Sequence, residues 1–444
     1  TGIVGGATNG ALGALTINSS GTTTLSAAVT AASVTTDSGG TTAINGSTMT
    51  TTGAQTYNDA VTLGAATTLT SSSSGNINLA STVNGAQALT INTAGTTTFG
   101  GIVGGTTALT SITTDAAGSL AINGGAITTT GAQTYNDAVT LGAATTLSAS
   151  SITTGSTFNA SSYAATLTTD AIALGGNLSG SGALTIQPKT NSTTIGIGSA
   201  ASGTLSLDDT ELGRLVDGFS SITIGSTTGT GAIAVAYTTP YTFLDPLTIR
   251  SNTSGGGAIS ATSALNTGAN SLTITTGGAV STVAITSGTL AITGTGITLN
   301  GDVTTSGTQS YTGAVTLGAD VTLASTGNAS TGNDISFSST INGAKAFTVN
   351  AGVGAITFNS TIGATTNLTS LSLTTSHATG ITLSGNVTTT GSQTYNGNVY
   401  LSGSNINLNT SNGDVNITGK VEGGSAAVDM ILQFLGGGAY LYNG

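Results

Sequence analysis

The stretch TTTGAQTYNDAVTLGAATTL fills positions 50–69 and returns unchanged at 128–147, an offset of 128 − 50 = 78. A looser copy, TTSGTQSYTGAVTLGADVTL, covers 304–323, and a fourth, TTTGSQTYNGNVYLSGSNINL, starts at Thr388, offset from the third by 388 − 304 = 84. Self-similarity at this distance means units that cannot bury a face alone and must stack on one another. Any fold or function has to follow from that stacking.

A shorter period lies inside the unit. Residues 76–95, NINLASTVNGAQALTINTAG, hold the alternating runs Ile77-Asn78-Leu79, Thr82-Val83 and Ala88-Leu89-Thr90-Ile91, separated by Ala80-Ser81 and Asn84-Gly85 and closed by Thr93-Ala94-Gly95. Runs this short, rich in β-branched residues and bounded by Gly, Asn and Ser, are strands. The expected fold is all-β, a parallel β-helix (β-solenoid) of about 20 residues and three short strands per coil. Ile, Val and Leu point into the bore and Thr points out. At a strand spacing near 4.8 Å the whole chain would make roughly 22 coils and a rod on the order of 105 Å long.

Composition narrows the function. Charged residues make up 5% of the chain, against about a quarter in ordinary globular domains, yet mean hydropathy is +0.28, which argues against disorder. The net charge is −11, and residues 1–188 contain no Lys or Arg. Nucleic acid and anionic lipid, which are held through Lys and Arg contacts to phosphate, are therefore poor candidate partners. With no Cys there is neither a disulfide framework nor thiolate chemistry. The chain begins at Thr1 without a Met or an apolar leader, as expected of a mature product or a fragment. No run approaches the roughly 18 apolar residues of a membrane helix; SAAVDMILQFL at 425–435 comes nearest and is broken by Asp429.

Four segments follow from the pattern. Residues 1–186 read as coils on the 78-residue repeat and 251–424 as coils on the 84-residue repeat. Between them, 187–250 holds all three prolines (Pro188, Pro240, Pro246) and three of the five basic residues (Lys189, Arg214, Arg250). It reads as irregular coils with a corner insertion, in which Asp208 caps one helical turn, Glu211 completes a capping box and Arg214 follows. Residues 425–444 form an apolar C-terminal segment, either a cap or an assembly contact.

The Thr/Gly/Asn-rich coils resemble the repeat regions of filamentous-haemagglutinin-type bacterial surface proteins. LSLDDTELGRLVDGFSSITIGSTTGTGAI at 205–233 and TFLDPLTIRS at 242–251 are similar to segments between coils in very large members of that group. The resemblance implies a secreted, right-handed β-helix at the cell surface, used as a fibre or for adhesion. The group's secretion motif, Asn-Pro-Asn-Leu, has no copy in this chain.

No enzyme activity is expected. Pectin-degrading β-helices cluster carboxylates, often around calcium, with Arg or Lys as base or clamp; here acids are scattered apart from Asp208, Asp209 and Glu211, with Arg214 one turn on. That trio is read as a helix cap, with calcium at it or at Asn333-Asp334 as the alternative. His377, the single histidine, has no Gly-x-Ser-x-Gly elbow to serve. Asp59 and Asp137 become Gly313 and Gly397 in the looser copies, the behaviour of turn residues. Tyr57, Tyr135, Tyr311 and Tyr395 recur at one repeat position and are read as corner packing, with carbohydrate stacking as the other reading.

Three functional expectations remain. The first is a structural extracellular filament built head to tail from copies of the chain, with Val428, Met430, Ile431, Leu432, Phe434, Leu435, Tyr440 and Tyr442 as assembly residues. The second is an adhesin that binds surface glycans. The third is ice binding through Thr-x-Thr faces such as Thr22–Thr24 and Thr96–Thr98, which Ala, Ser, Gly and Asn interrupt elsewhere; thermal hysteresis separates it from the others.

Overall fold

The computed structural model describes residues 4–6, 10–325, 333–403, 405–423, 430–434 and 439–441, with side chains as far as residue 423. The runs read from the sequence in 76–95 form the strands Ile77–Leu79, Val83–Asn84 and Ala88–Thr93. Each pairs in parallel with a strand one turn away. Leu89 lies beside Thr67, and Thr97 beside Ile77. The chain is an all-β parallel β-solenoid of about 20 residues per turn. Among the described residues the helix Asp209–Leu212 is the one α-helix, and no helix is long and apolar enough to cross a membrane.

Contacts divide the chain into two units, Thr1–Thr193 with Thr204–Thr223, and Thr194–Gly203 with Ile224–Gly444. In the first, three ladders run side by side. One passes through Thr48–Thr51, Thr67–Ser71, Ala88–Thr93, Ser111–Thr114, Ala132–Tyr135 and Ser151–Thr154. The second passes through Gln55–Tyr57, Ile77–Leu79, Thr96–Phe99, Ser119–Ile122 and Ala138–Leu141. The third includes Thr22–Leu25, Thr41–Ile44, Ala60–Leu63 and Val83–Asn84, continuing through Val103 to Ala126–Thr128.

The identical repeats do not lie on the same face. From Gln55–Tyr57 the second ladder climbs turn by turn, Thr56 to Asn78 to Thr98 to Ala121. Two further faces, Ala126–Thr128 and Ala132–Tyr135, then complete the repeat. Gln133-Tyr135 therefore stands in the first ladder, where Gln55-Tyr57 stands in the second. The second unit behaves alike: Gln309 and Tyr311 pair with Ile335 and Phe337, whereas Gln393 and Tyr395 pair with Leu371 and Leu373 in a different ladder. One sequence motif fits any face because each face offers the same strand and corner geometry.

Inward side chains stack turn on turn. Met49, Leu69 and Ile91 are in register and fully buried, each contributing about 1.5–3 kcal/mol of burial. In the second unit Tyr311, Phe337 and Phe358 share a row. Their rings stack at 4.8 and 5.0 Å, 7° from parallel in both pairs. Outward neighbours are half-exposed, as in the buried, half-buried, buried pattern of Ile77–Leu79.

The repeat glycine of the Thr-Leu-Gly corner has a packing reason. A Cβ on Gly64, Gly142 or Gly318 would overlap the side-chain oxygen of Asn45, Asn123 or Asn300 from the turn beneath. The Asn of one turn and the Gly of the next form a single corner piece.

Strand pairing persists within 187–250: Ile195–Ile197 pairs with Ile233–Val235, and Leu247–Arg250 with Leu272–Thr275. In the first unit Asp170 ties down the loop after Pro188, accepting the amides of Lys189 and Thr190 at 3.0 and 2.8 Å and the Thr193 hydroxyl at 2.8 Å. Lys189 Nζ donates to the Thr129 carbonyl at 2.8 Å.

Near the C-terminus, Met430–Phe434 pairs with Ile406–Thr410 and Ala439–Leu441 with Val415–Ile417. Of the assembly residues expected there, Val428, Leu435 and Tyr442 lie outside the described residues. Met430, Ile431, Leu432, Phe434 and Tyr440 are described as strand backbone.

Gly142→Ala forces the Asn123 amide aside and costs about 1–3 kcal/mol. Adding Asn123→Ala relieves the overlap, so the urea midpoint of the double variant lies above that of the single one; a lower midpoint contradicts the corner-piece account.

Candidate functional site

Two of the acidic trio, Asp208 and Glu211, are occupied by the backbone. Asp208 accepts the Glu211 amide at 2.8 Å and Glu211 Oε2 accepts the Asp208 amide at 3.0 Å, a reciprocal capping box. Glu211 Oε1 reaches back along the chain to accept the Leu174 amide at 2.9 Å. Burial pushes the Glu211 carboxyl upward, while the amides of Leu174 and Asp208 pull it the other way. Oε2 of Glu211 thus closes the helix's own cap, while Oε1 fastens the helical turn to a strand of the same unit. Asp334 Oδ1 likewise accepts the Ala355 amide at 2.8 Å, and Asn333 is buried. Among the described residues, no three His, Asp or Glu side chains are grouped to hold a metal ion.

His377 sits in a corner. Its Nδ1 lies 2.7 Å from the Thr379 hydroxyl and accepts the Thr379 amide at 3.2 Å.

The four repeat tyrosines belong to the bore, where no carbohydrate can stack on them: Tyr57, Tyr135, Tyr311 and Tyr395 are at most 1% exposed. They are strand residues rather than corner residues. Each hydroxyl donates to the Gln two positions earlier, at 3.0, 2.9, 2.9 and 2.8 Å. The Gln amide in turn donates to backbone carbonyls, Met49 and Thr70 for Gln55 and Ile127 and Ser148 for Gln133. Gln55, Gln309 and Gln393 also donate to Thr51, Thr305 and Thr389, and these hydroxyls pass on to the carbonyls of Gly53, Gly307 and Gly391. In these three copies the motif Thr-x-Gly-x-Gln-x-Tyr is therefore one buried hydrogen-bond chain that turns a corner. Burial pushes all four phenols far above the ordinary tyrosine range.

Asp59 and Asp137 stand at corners, as turn residues do, but both are buried, 5% and 1% exposed. Their surroundings come from the turn beneath. Asp59 Oδ1 accepts the Thr36 hydroxyl at 2.6 Å and Oδ2 the Thr42 hydroxyl at 2.9 Å. Beneath the identical second copy, Leu120 stands at the repeat position that Thr42 holds beneath the first. Neither Asp137 oxygen has a hydrogen bond of good geometry. Burial pushes the Asp137 carboxyl upward; the nearby Thr114 hydroxyl softens that push, and the Asp115 charge adds to it.

The outward faces carry rows of small polar side chains. Thr48, Thr68, Thr90, Thr113, Thr134 and Thr153 share one row on successive turns. The row from Thr22 and Thr24 meets Thr41 and Ala43, and that from Thr96 and Thr98 meets Ser119 and Ala121. The pattern is broken at a groove of about 400 Å³ whose lining includes Thr379, Thr382, Asn398, Tyr400 and Glu422. Tyr400 is 36% exposed there, between Thr382 on one neighbouring strand and Glu422 on the other.

No family model, curated protein or solved structure matches this chain. What is established is the fold, a parallel β-solenoid of about 20 turns.

Tyr135→Phe leaves Gln133 Oε1 buried without its donor and lowers stability by about 1–3 kcal/mol, read from the urea midpoint; an unchanged midpoint contradicts the network. Because the folded-state pKa of Asp137 lies above its unfolded value, the native state holds the extra proton and stability falls as pH rises from the ordinary carboxylate range through the raised value. Asp137→Asn removes that fall and raises the midpoint at pH 7, while Asp59→Asn, whose amide nitrogen cannot accept one of the two threonine hydroxyls that Asp59 accepts, lowers it.

Proposed function

We propose that this chain is a structural subunit of an extracellular, self-assembling β-solenoid filament on a bacterial cell surface, the role that its resemblance to filamentous-haemagglutinin-type repeats implies. The observation that carries this reading is the parallel ladder itself: turn after turn, strands add to the backbone edge of the turn before, and in this proposal a second copy continues the ladder in the same way. One interface repeated head to tail without closing gives a filament.

The adhesin reading rests on the Tyr400 groove and is compatible with a filament that displays it. Electron microscopy and sedimentation over a concentration series test assembly, with lengths expected to grow with concentration. Neighbouring residues of a strand donate to opposite edges. One of Ile431→Pro and Leu432→Pro therefore removes a donor from the edge that faces away from Ile406–Thr410 and shortens the filaments, with circular dichroism confirming that the remaining coils are folded. Monodisperse single chains at high concentration would refute assembly.

A further inference from the structure

In the second unit one outward row runs through Ser310, Ser336, Thr357 and Thr382 to Tyr400 and Glu422, each beside the next. Small hydroxyl side chains give way there to an aromatic ring and a carboxylate. The change is specific to this copy of the repeat: Tyr400 replaces the Thr found at Thr62, Thr140 and Thr316. Tyr57 and its three counterparts are sealed in the bore, whereas this ring lies on the surface.

The groove around it is held in shape. Asn398 spans its wall, donating to the Ala378 carbonyl at 3.1 Å and accepting the Lys420 amide at 3.1 Å. The corner beneath is closed by the Gly380 amide on the His377 carbonyl at 3.0 Å and by the contact of His377 Nδ1 with the Thr379 hydroxyl. The Tyr400 hydroxyl and the Glu422 carboxylate have no such duty among the described residues. Nothing else among the described residues engages them, so they can meet a ligand from a wall that need not rearrange.

We propose that Tyr400, Glu422, Thr382 and Thr379 form a binding subsite for a neutral saccharide. The ring offers an apolar platform for the C–H face of a pyranose, and the phenol keeps a polar tip in water. Glu422 accepts from sugar hydroxyls in charge-assisted bonds, and the threonine hydroxyls can both donate and accept. A sulfated or carboxylated sugar is disfavoured by Glu422 and by a chain of net charge −11. The volume, about 400 Å³, is near the small end of ligand sites and fits a short saccharide. This deepens the adhesin reading and is independent of filament formation.

The test is titration of dilute, unassembled protein with maltotriose, cellotriose, chitotriose and a β-1,4-galactotriose, followed by saturation-transfer NMR, with dextran sulfate as the anionic probe. At least one neutral trisaccharide is expected to bind saturably while dextran sulfate does not. Tyr400→Thr, which restores the residue of the other copies, weakens binding about tenfold or more with an unchanged melting temperature, and Tyr400→Phe stays within about threefold of the parent. The proposal fails if none of the four neutral probes gives a saturable signal, or if Tyr400→Thr binds like the parent. Because the protein is unassembled in this measurement, either outcome leaves the filament proposal to its own test.

Discussion

The parallel ladder between successive turns is the interaction on which the rest of the structure depends. In so short a strand the backbone has no partner within its own turn, so its N–H and C=O groups must find the turn before and the turn after. Leu89, bonded through its strand to Thr67 on one side and Ile112 on the other, is typical. The consequence is a strict coupling between neighbours and almost none beyond them. An insertion such as the helical turn Asp209–Leu212 is tolerated because it leaves a corner and returns to it, at a cost that grows only slowly with loop length.

The same coupling explains why the bore is not purely apolar. A chain that turns a corner after every strand must satisfy corner carbonyls that the ladder cannot reach. The Thr-x-Gly-x-Gln-x-Tyr chain does this from inside: Gln55 donates to the Thr51 hydroxyl, which donates to the corner carbonyl of Gly53, and Ser71 of the next turn donates to the same carbonyl. Such a network is favourable only when complete. Asp59, with two threonine donors, is complete; Asp137, over Leu120, is not. Two copies of an identical sequence thus differ in energy because of what lies one turn away.

This locality also decides what could be read from the sequence. Strand positions such as Ile77–Leu79 and Ala88–Thr93 were legible because period-2 alternation is a property of adjacent residues. The capping box at Asp208 and Glu211 was legible for the same reason, but the bond to Glu211 from the distant Leu174 amide was not. The inward orientation of Asp59 and the Gln–Tyr pairs was hidden likewise: a corner residue and a buried acceptor look alike until the turn beneath is known. The displacement of each repeat by one face could not be read from the period, because corner lengths vary and the number of strands in a repeat is set by pairing. Tyr400 left a faint signal, a single Tyr where three other copies have Thr, and it acquires meaning only once its row is seen to point outward.

A solenoid of this kind separates its two tasks by side-chain parity. Inward positions are bound to their neighbours above and below, so a change there must be answered one turn away, as Asp137 over Leu120 is not. Outward positions carry no such obligation. Replacing Thr by Tyr at position 400 leaves the Val399 and Leu401 pairings with Ile381 and Leu383 intact, and both flanking residues remain buried. New surface chemistry can therefore arise on any face at little cost to the fold. Because the motif keeps its Tyr-to-Gln hydrogen bond on every face it occupies, a chain built this way can vary what it presents to its surroundings while that part of its bore stays the same.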